Sequence, residues 1–199
     1  MKALSVFIHD NRAWMDFVLS KTALILASVV VIAAVYHFAV SMEQMDRQKE
    51  LDMHSSEFLS YIDKVGSSPY ETNITYTFNA GHFSHLQEQQ FEISISGEYV
   101  VIDTIIDGRS MISARTPAFR VYPYSPSILY NDLRSEYGAN GSIMEPISSE
   151  HMDIVRYLTS RGADEVTFNA SEQFYIQKTF IYFNNNINVE KIGYVLVYQ

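Results

Sequence analysis

Cysteine is absent from the 199 residues. With it go disulfide cross-links, thiol nucleophiles and thiolate-bound metals. There is also no glycine-rich loop to cradle phosphate, and no Gly-x-Ser-x-Gly turn to present a nucleophilic serine. Serine, histidine and aspartate are present but in no spacing that marks a catalytic set, so the sequence reads as non-enzymatic. Positive charge is short as well: 14 Lys and Arg stand against 23 Asp and Glu, a formal net charge of −9. The deficit is local. Up to Met42, Lys2, Arg12 and Lys21 face only Asp10 and Asp16, and every other charged residue lies beyond. An acidic domain of this kind excludes a nucleic-acid partner, whose phosphates need a basic surface. It suits a cell surface, and a cysteine-free exported domain fits an archaeal or bacterial envelope better than a eukaryotic one.

What is present begins with residues 22–42, TALILASVVVIAAVYHFAVSM, which carry no acidic or basic side chain. At about 1.5 Å per residue, a helix of this length crosses a hydrocarbon core of roughly 30 Å. No later segment has a comparable apolar run. Lys21 stands at one edge; Glu43, Asp46, Arg47, Lys49 and Glu50 crowd the other. Basic residues prefer the cytoplasmic side, and their balance across the span favours a cytoplasmic N-terminus. Three sequons, Asn73-Ile74-Thr75, Asn140-Gly141-Ser142 and Asn169-Ala170-Ser171, lie after the span, where N-glycosylation requires an exported domain. The expected layout is a cytoplasmic leader over 1–13, a transmembrane helix over 14–42 and an extracellular remainder. Ala39-Val40-Ser41 has the look of a secretory cleavage site. Against cleavage there, the apolar run exceeds a signal core and charged helix-forming sequence follows without a breaker.

The helical pattern continues past the span. Leu51, Phe58, Leu59, Ile62 and Val65 recur at spacings of three, four and seven, and Gly66-Ser67-Ser68-Pro69 supplies stop signals. This predicts an amphipathic juxtamembrane helix over 43–66 whose apolar stripe must be covered, most simply by the protein's own sheet. Alternating β-branched and aromatic residues then predict strands at 73–79, 90–96, 98–106, 111–114, 118–122, 173–183 and 189–198. Ser96-Gly97-Glu98, Asp107-Gly108 and Asn184-Asn185-Asn186 are the turn signals between them. Short helices are expected at 127–137 and 148–161, stopped by Gly138 and Gly162. The predicted fold class is α+β: a long N-terminal helix, transmembrane then amphipathic, followed by a mostly antiparallel β-rich domain over 67–199.

Isolated polar residues add little chemistry. His82 and His85 are three apart, but Gly81 favours a loop, where no third ligand completes a metal set. His37 falls near the outer edge of the span and suits the lipid–water interface. Asp103 and Asp107 flank a strand end as turn acids do. The tyrosines are expected to fill a sheet. No cofactor or metal is called for.

One cluster remains, Arg12-Ala13-Trp14-Met15-Asp16-Phe17, just before the span. Physically it reads as an interfacial anchor, with Trp14 and Phe17 at headgroup level and Lys21 snorkelling beside them. Its pattern of a basic residue, a small one, then an apolar helix with an early acid also resembles the class III signal of type IV pilins and archaellins. That resemblance implies cleavage after Ala13, leaving Trp14 first and Asp16 third in the mature chain. Pilins usually place the acid fifth, and a lysine such as Lys21 does not interrupt their apolar run. Together with FLSYIDKVGSSPYETNITYTF, the layout over residues 1–80 is similar to archaeal type IV pilin-like proteins. The resemblance implies a structural or assembly subunit whose partners are the lipid membrane, copies of itself and other surface subunits. Asp16 and Lys21 project about 140° apart on one helix, so they would pair only between neighbouring helices. The alternative is an uncleaved single-pass accessory subunit whose exported domain docks on a larger membrane or surface complex.

Overall fold

The computed structural model describes residues 3–78, 91–106, 108–185 and 188–199, with side chains from Trp14 onward. A long helix, α1 (Ala3–Ser67), precedes eight strands and two short helices. The fold is α+β, as expected. The chain divides into two units, Met1–Asp46 and Arg47–Gln199, with the boundary inside α1. The helix starts at Ala3, so the residues expected to form a leader are helical from there.

The second unit holds two four-stranded sheets. One has the order β1 (Thr72–Tyr76), β7 (Phe174–Asn184), β8 (Val189–Tyr198), β5 (Val121–Tyr122). The other has the order β4 (Arg109–Arg115), β3 (Val100–Ile106), β2 (Phe91–Ile95), β6 (Val166–Asn169). All pairings are antiparallel except β5 with β8. Helices α2 (Pro126–Tyr137) and α3 (His151–Gly162) lie between β5 and β6 in the chain.

Alternation along β7 and β8 generates two cores. Phe174, Ile176, Val195 and Val197 join Leu51, Phe58, Ile62 and Val65 of α1 and the inner face of the second sheet. Ile181, Phe183, Tyr194 and Leu196 instead meet Leu129, Leu133, Ile154 and Leu158 of α2 and α3. Successive strand residues point to opposite faces, and here both faces are covered. That is why Tyr194–Tyr198 reads as an unbroken apolar run. The second sheet is one-sided: Ile93, Ile95, Val100 and Ile102 are buried, while Glu92, Ile105 and Ile112 are exposed.

Phe58 is fully buried, its ring 5.1 Å from Tyr76, 5.4 Å from Phe78 and 5.1 Å from Phe174. Polar contacts fix the helix beside this stripe. Asp52 accepts a 2.6 Å hydrogen bond from Ser113 Oγ and lies 3.8 Å from Arg115. The Lys178 ammonium donates to the carbonyls of Gly66 and Ser68, neutralising the C-terminal end of α1.

Several boundaries differ from expectation. The predicted strand over 118–122 shrinks to Val121–Tyr122, because α1 holds the preceding residues. Ala118 N donates to Asp63 Oδ1 at 2.8 Å, and Phe119 lies so close to Gly66 that a Cβ there would sit 2.3 Å from its ring. Residue 148 is not yet helical, since Ile147 is bonded as an extended segment to Tyr182 and Asn184. Gly162 is the last residue of α3 rather than a stop beyond it. Strand β6 was not anticipated; its four residues pair with β2 and bury only Phe168. At Gly138, φ is +72° and the amide caps α2 on the Arg134 carbonyl, as a terminal glycine should. The strand expected over 73–79 ends at Tyr76, with residues 77 and 78 no longer in it; residue 79 lies outside the described residues.

A polar network fastens α2 to α3. Tyr122 Oη donates to Asp132 Oδ2 at 3.1 Å, and Arg161 donates to the same oxygen at 2.8 and 3.2 Å. Burial, then the Asp132 charge, holds the Tyr122 hydroxyl protonated well past the ordinary tyrosine range. Burial also raises Tyr76, Tyr137, Tyr157, Tyr194 and Tyr198.

Phe58→Ala should destabilise the chain by about 3–5 kcal/mol, whereas the exposed Met53→Ala should stay within about 0.5 kcal/mol, both read by denaturant unfolding. An equally small effect at Phe58 would show that its face does not belong to the core. The folded state keeps its buried tyrosines protonated where the unfolded chain has begun to release their protons. Stability should therefore be full below about pH 10 and fall as pH rises above it. Tyr122→Phe should flatten part of that fall in thermal melts taken across the range.

Candidate membrane anchor

Over residues 22–42, α1 is apolar on every side. Ile25, Leu26, Val30, Ile32 and Val35 are each more than half exposed, although they point in different directions around the helix. No part of the most apolar window is buried, and the helix is long and apolar enough to cross a membrane once. Two of its hydroxyls are satisfied locally. Thr22 Oγ1 donates to the Val18 carbonyl and Ser28 Oγ to the Leu24 carbonyl, each at 2.9 Å. Such closure of hydroxyls onto the preceding turn is what hydrocarbon demands.

The N-terminal edge carries the aromatic and charged residues singled out by sequence. Trp14 is 69 % exposed. Lys21 Nζ sits 5.4 Å from the Phe17 ring centroid, one turn back, a cation–π contact that also lifts the charge toward the helix start. Asp16 is exposed, and no Asp16–Lys21 ion pair forms among the described residues. Arg12 and Ala13 lie in helical backbone directly before Trp14. Tyr36, His37 and Phe38 form an exposed group near the other edge.

The remaining predicted residues scatter over the second unit. Asn73 is exposed on β1, an edge strand. Asn140 is half-buried, its Oδ1 accepting from Ser142 N at 2.9 Å. Asn169 is exposed at the end of β6, its Oδ1 accepting from Ser171 N at 3.1 Å and Ser171 Oγ at 2.8 Å. Asp103 is half-buried, directly across from Glu92 and Ile112. His82, His85 and Asp107 lie outside the described residues. Among the described residues, no group of three or more His, Asp and Glu could hold a metal.

One constellation has no signature in the sequence. Glu98, Arg120 and Tyr194 line a common cavity where the β2–β3 connection meets α3. They come from three distant segments, so no spacing announces them; only the apolar run around Tyr194 hinted at burial on both faces.

Comparisons with protein families, curated proteins and solved structures return no match to this chain.

If α1 spans a bilayer, a charge at its midpoint should oppose insertion. Ile32→Arg costs about 3 kcal/mol at a helix centre and should shift the protein from carbonate-washed membranes toward the supernatant. Ile32→Leu should not. Equal retention of both variants would show that the helix does not cross the hydrocarbon.

Proposed function

We propose that the chain is a non-enzymatic, membrane-anchored cell-surface protein, acting as a pilin-like structural or assembly subunit. The observation that carries this reading is the division of labour along α1. Its first part offers apolar side chains in all directions with none buried, while Leu51, Phe58 and Ile62 of the same helix are fully buried in a β-rich domain. A helix with that division suits a subunit held by lipid before assembly and by neighbouring helices after it. In this reading the N-terminus is cytoplasmic, the second unit is extracellular, and the sequons at Asn73, Asn140 and Asn169 are open to glycosylation. Partners are lipid, copies of the same chain and other surface subunits.

Assembly would bring Asp16 of one helix to Lys21 of another. In a core with little water such a pair neutralises two charges that would each be costly alone. The Lys21–Phe17 contact favours a second reading, an uncleaved accessory subunit whose Trp14, Phe17 and Lys21 sit permanently in the headgroup layer and whose exported domain docks on a larger complex.

Mass spectrometry of the N-terminus from native membranes separates the two. The pilin-like reading expects a mature start at Trp14 and protein in sheared filaments. An intact leader with protein found only in membranes leaves the accessory subunit. Protease added to intact cells should digest residues after Met42 in either case, and protection of that region would overturn the topology common to both.

A further inference from the structure

The cavity between the β2–β3 connection and α3 combines shape and charge in a way the anchor does not use. Its volume is about 160 Å³. A dry cavity of about 150 Å³ takes a benzene molecule, so this one fits a single ring or branched side chain. Val121, Leu158 and Tyr194, all buried, supply apolar lining. Gly97 and Gly162 meet there by a 2.6 Å backbone hydrogen bond, and a Cβ on Gly97 would come 3.1 Å from the Gly162 carbonyl oxygen. The two chain segments thus close the site through backbone alone.

Charges of opposite sign line the same space. Glu98 follows β2 and Arg120 precedes β5. Among the described residues neither forms an ion pair, with the other or with any third group. Arg120 donates to Thr159 Oγ1 of α3, which positions the guanidinium and uses one of its five N–H donors. The Tyr194 side chain is buried along most of its length, no hydrogen bond to its hydroxyl forms among the described residues, and burial keeps that hydroxyl protonated and able to donate.

We infer that this cavity binds a free α-amino acid with an apolar side chain: the side chain on Val121 and Leu158, the carboxylate on Arg120 and the Tyr194 hydroxyl, the ammonium on Glu98. A simple anion would meet Glu98, and a simple cation would meet Arg120. A hydrocarbon would leave both charges, each on a solvent-exposed residue at the cavity, without a partner. A zwitterion answers both charges from one carbon atom. The inference does not rest on the pilin-like reading, since every residue in it belongs to the second unit.

The test uses the full chain in detergent, with leucine and phenylalanine as probes in calorimetric titration and thermal melts. One of them should bind saturably and raise the melting temperature. N-acetyl and carboxamide derivatives of the same amino acid, each lacking one charge, should bind at least about tenfold more weakly, a loss of about 1.4 kcal/mol. Glu98→Gln and Arg120→Gln should each weaken the parent amino acid by a similar factor. Ala163→Phe, at an exposed position on the cavity lining, should block binding while leaving the ligand-free melting temperature unchanged. Absence of saturable binding by both amino acids overturns the inference. So does equal binding of a derivative, or unchanged binding in the Ala163→Phe protein.

Discussion

Phe58 and the three rings around it are the contact on which the second unit depends. One side chain on a helix touches a strand at the start of the domain, a residue two positions beyond it and a strand near its end. Remove that ring and three aromatic neighbours lose a shared partner. Burying it also sets the rotation of α1: once Phe58 faces inward, Leu51, Ile62 and Val65 must follow, and Asp52 and Asp63 fall where they can bond to the backbone or side chains of the sheet region. The polar contacts refine a placement that apolar burial decides.

The periodicities made most of this legible. Spacings of three, four and seven in Leu51, Phe58, Ile62 and Val65 predicted both the helix and its buried face, and alternation located seven of the eight strands. What was not legible depends on contacts distant in sequence. The residues before Val121 have the composition of a strand, yet the Asp63 carboxylate and Gly66 of α1 engage them first. Val166–Asn169 is too short to stand out until β2 supplies a partner. The parallel pairing of β5 with β8 leaves no mark on either segment.

The sites divide in the same way. The Lys21–Phe17 contact could be anticipated because both residues lie on one helix, a turn apart. Glu98, Arg120 and Tyr194 could not, because each is unremarkable alone and only the meeting of the β2–β3 connection with α3 brings them together. A chemistry-bearing pattern is visible in sequence when one element carries it, and invisible when the tertiary fold assembles it.

The Phe58–Phe174 contact also constrains the order of events as the chain is made. The two residues are separated by more than half the sequence, so the apolar stripe of α1 is synthesised long before the strand that covers it exists. Closing so long a loop is slow, because its entropy must be given up before the contact returns anything. The β7–β8 hairpin, by contrast, is local and forms within its own few residues. The domain must therefore complete its core from the C-terminal end, with an exposed helix waiting for the last strands to arrive. Loss of that hairpin would leave part of the stripe uncovered and prone to aggregation, however well everything before it had formed.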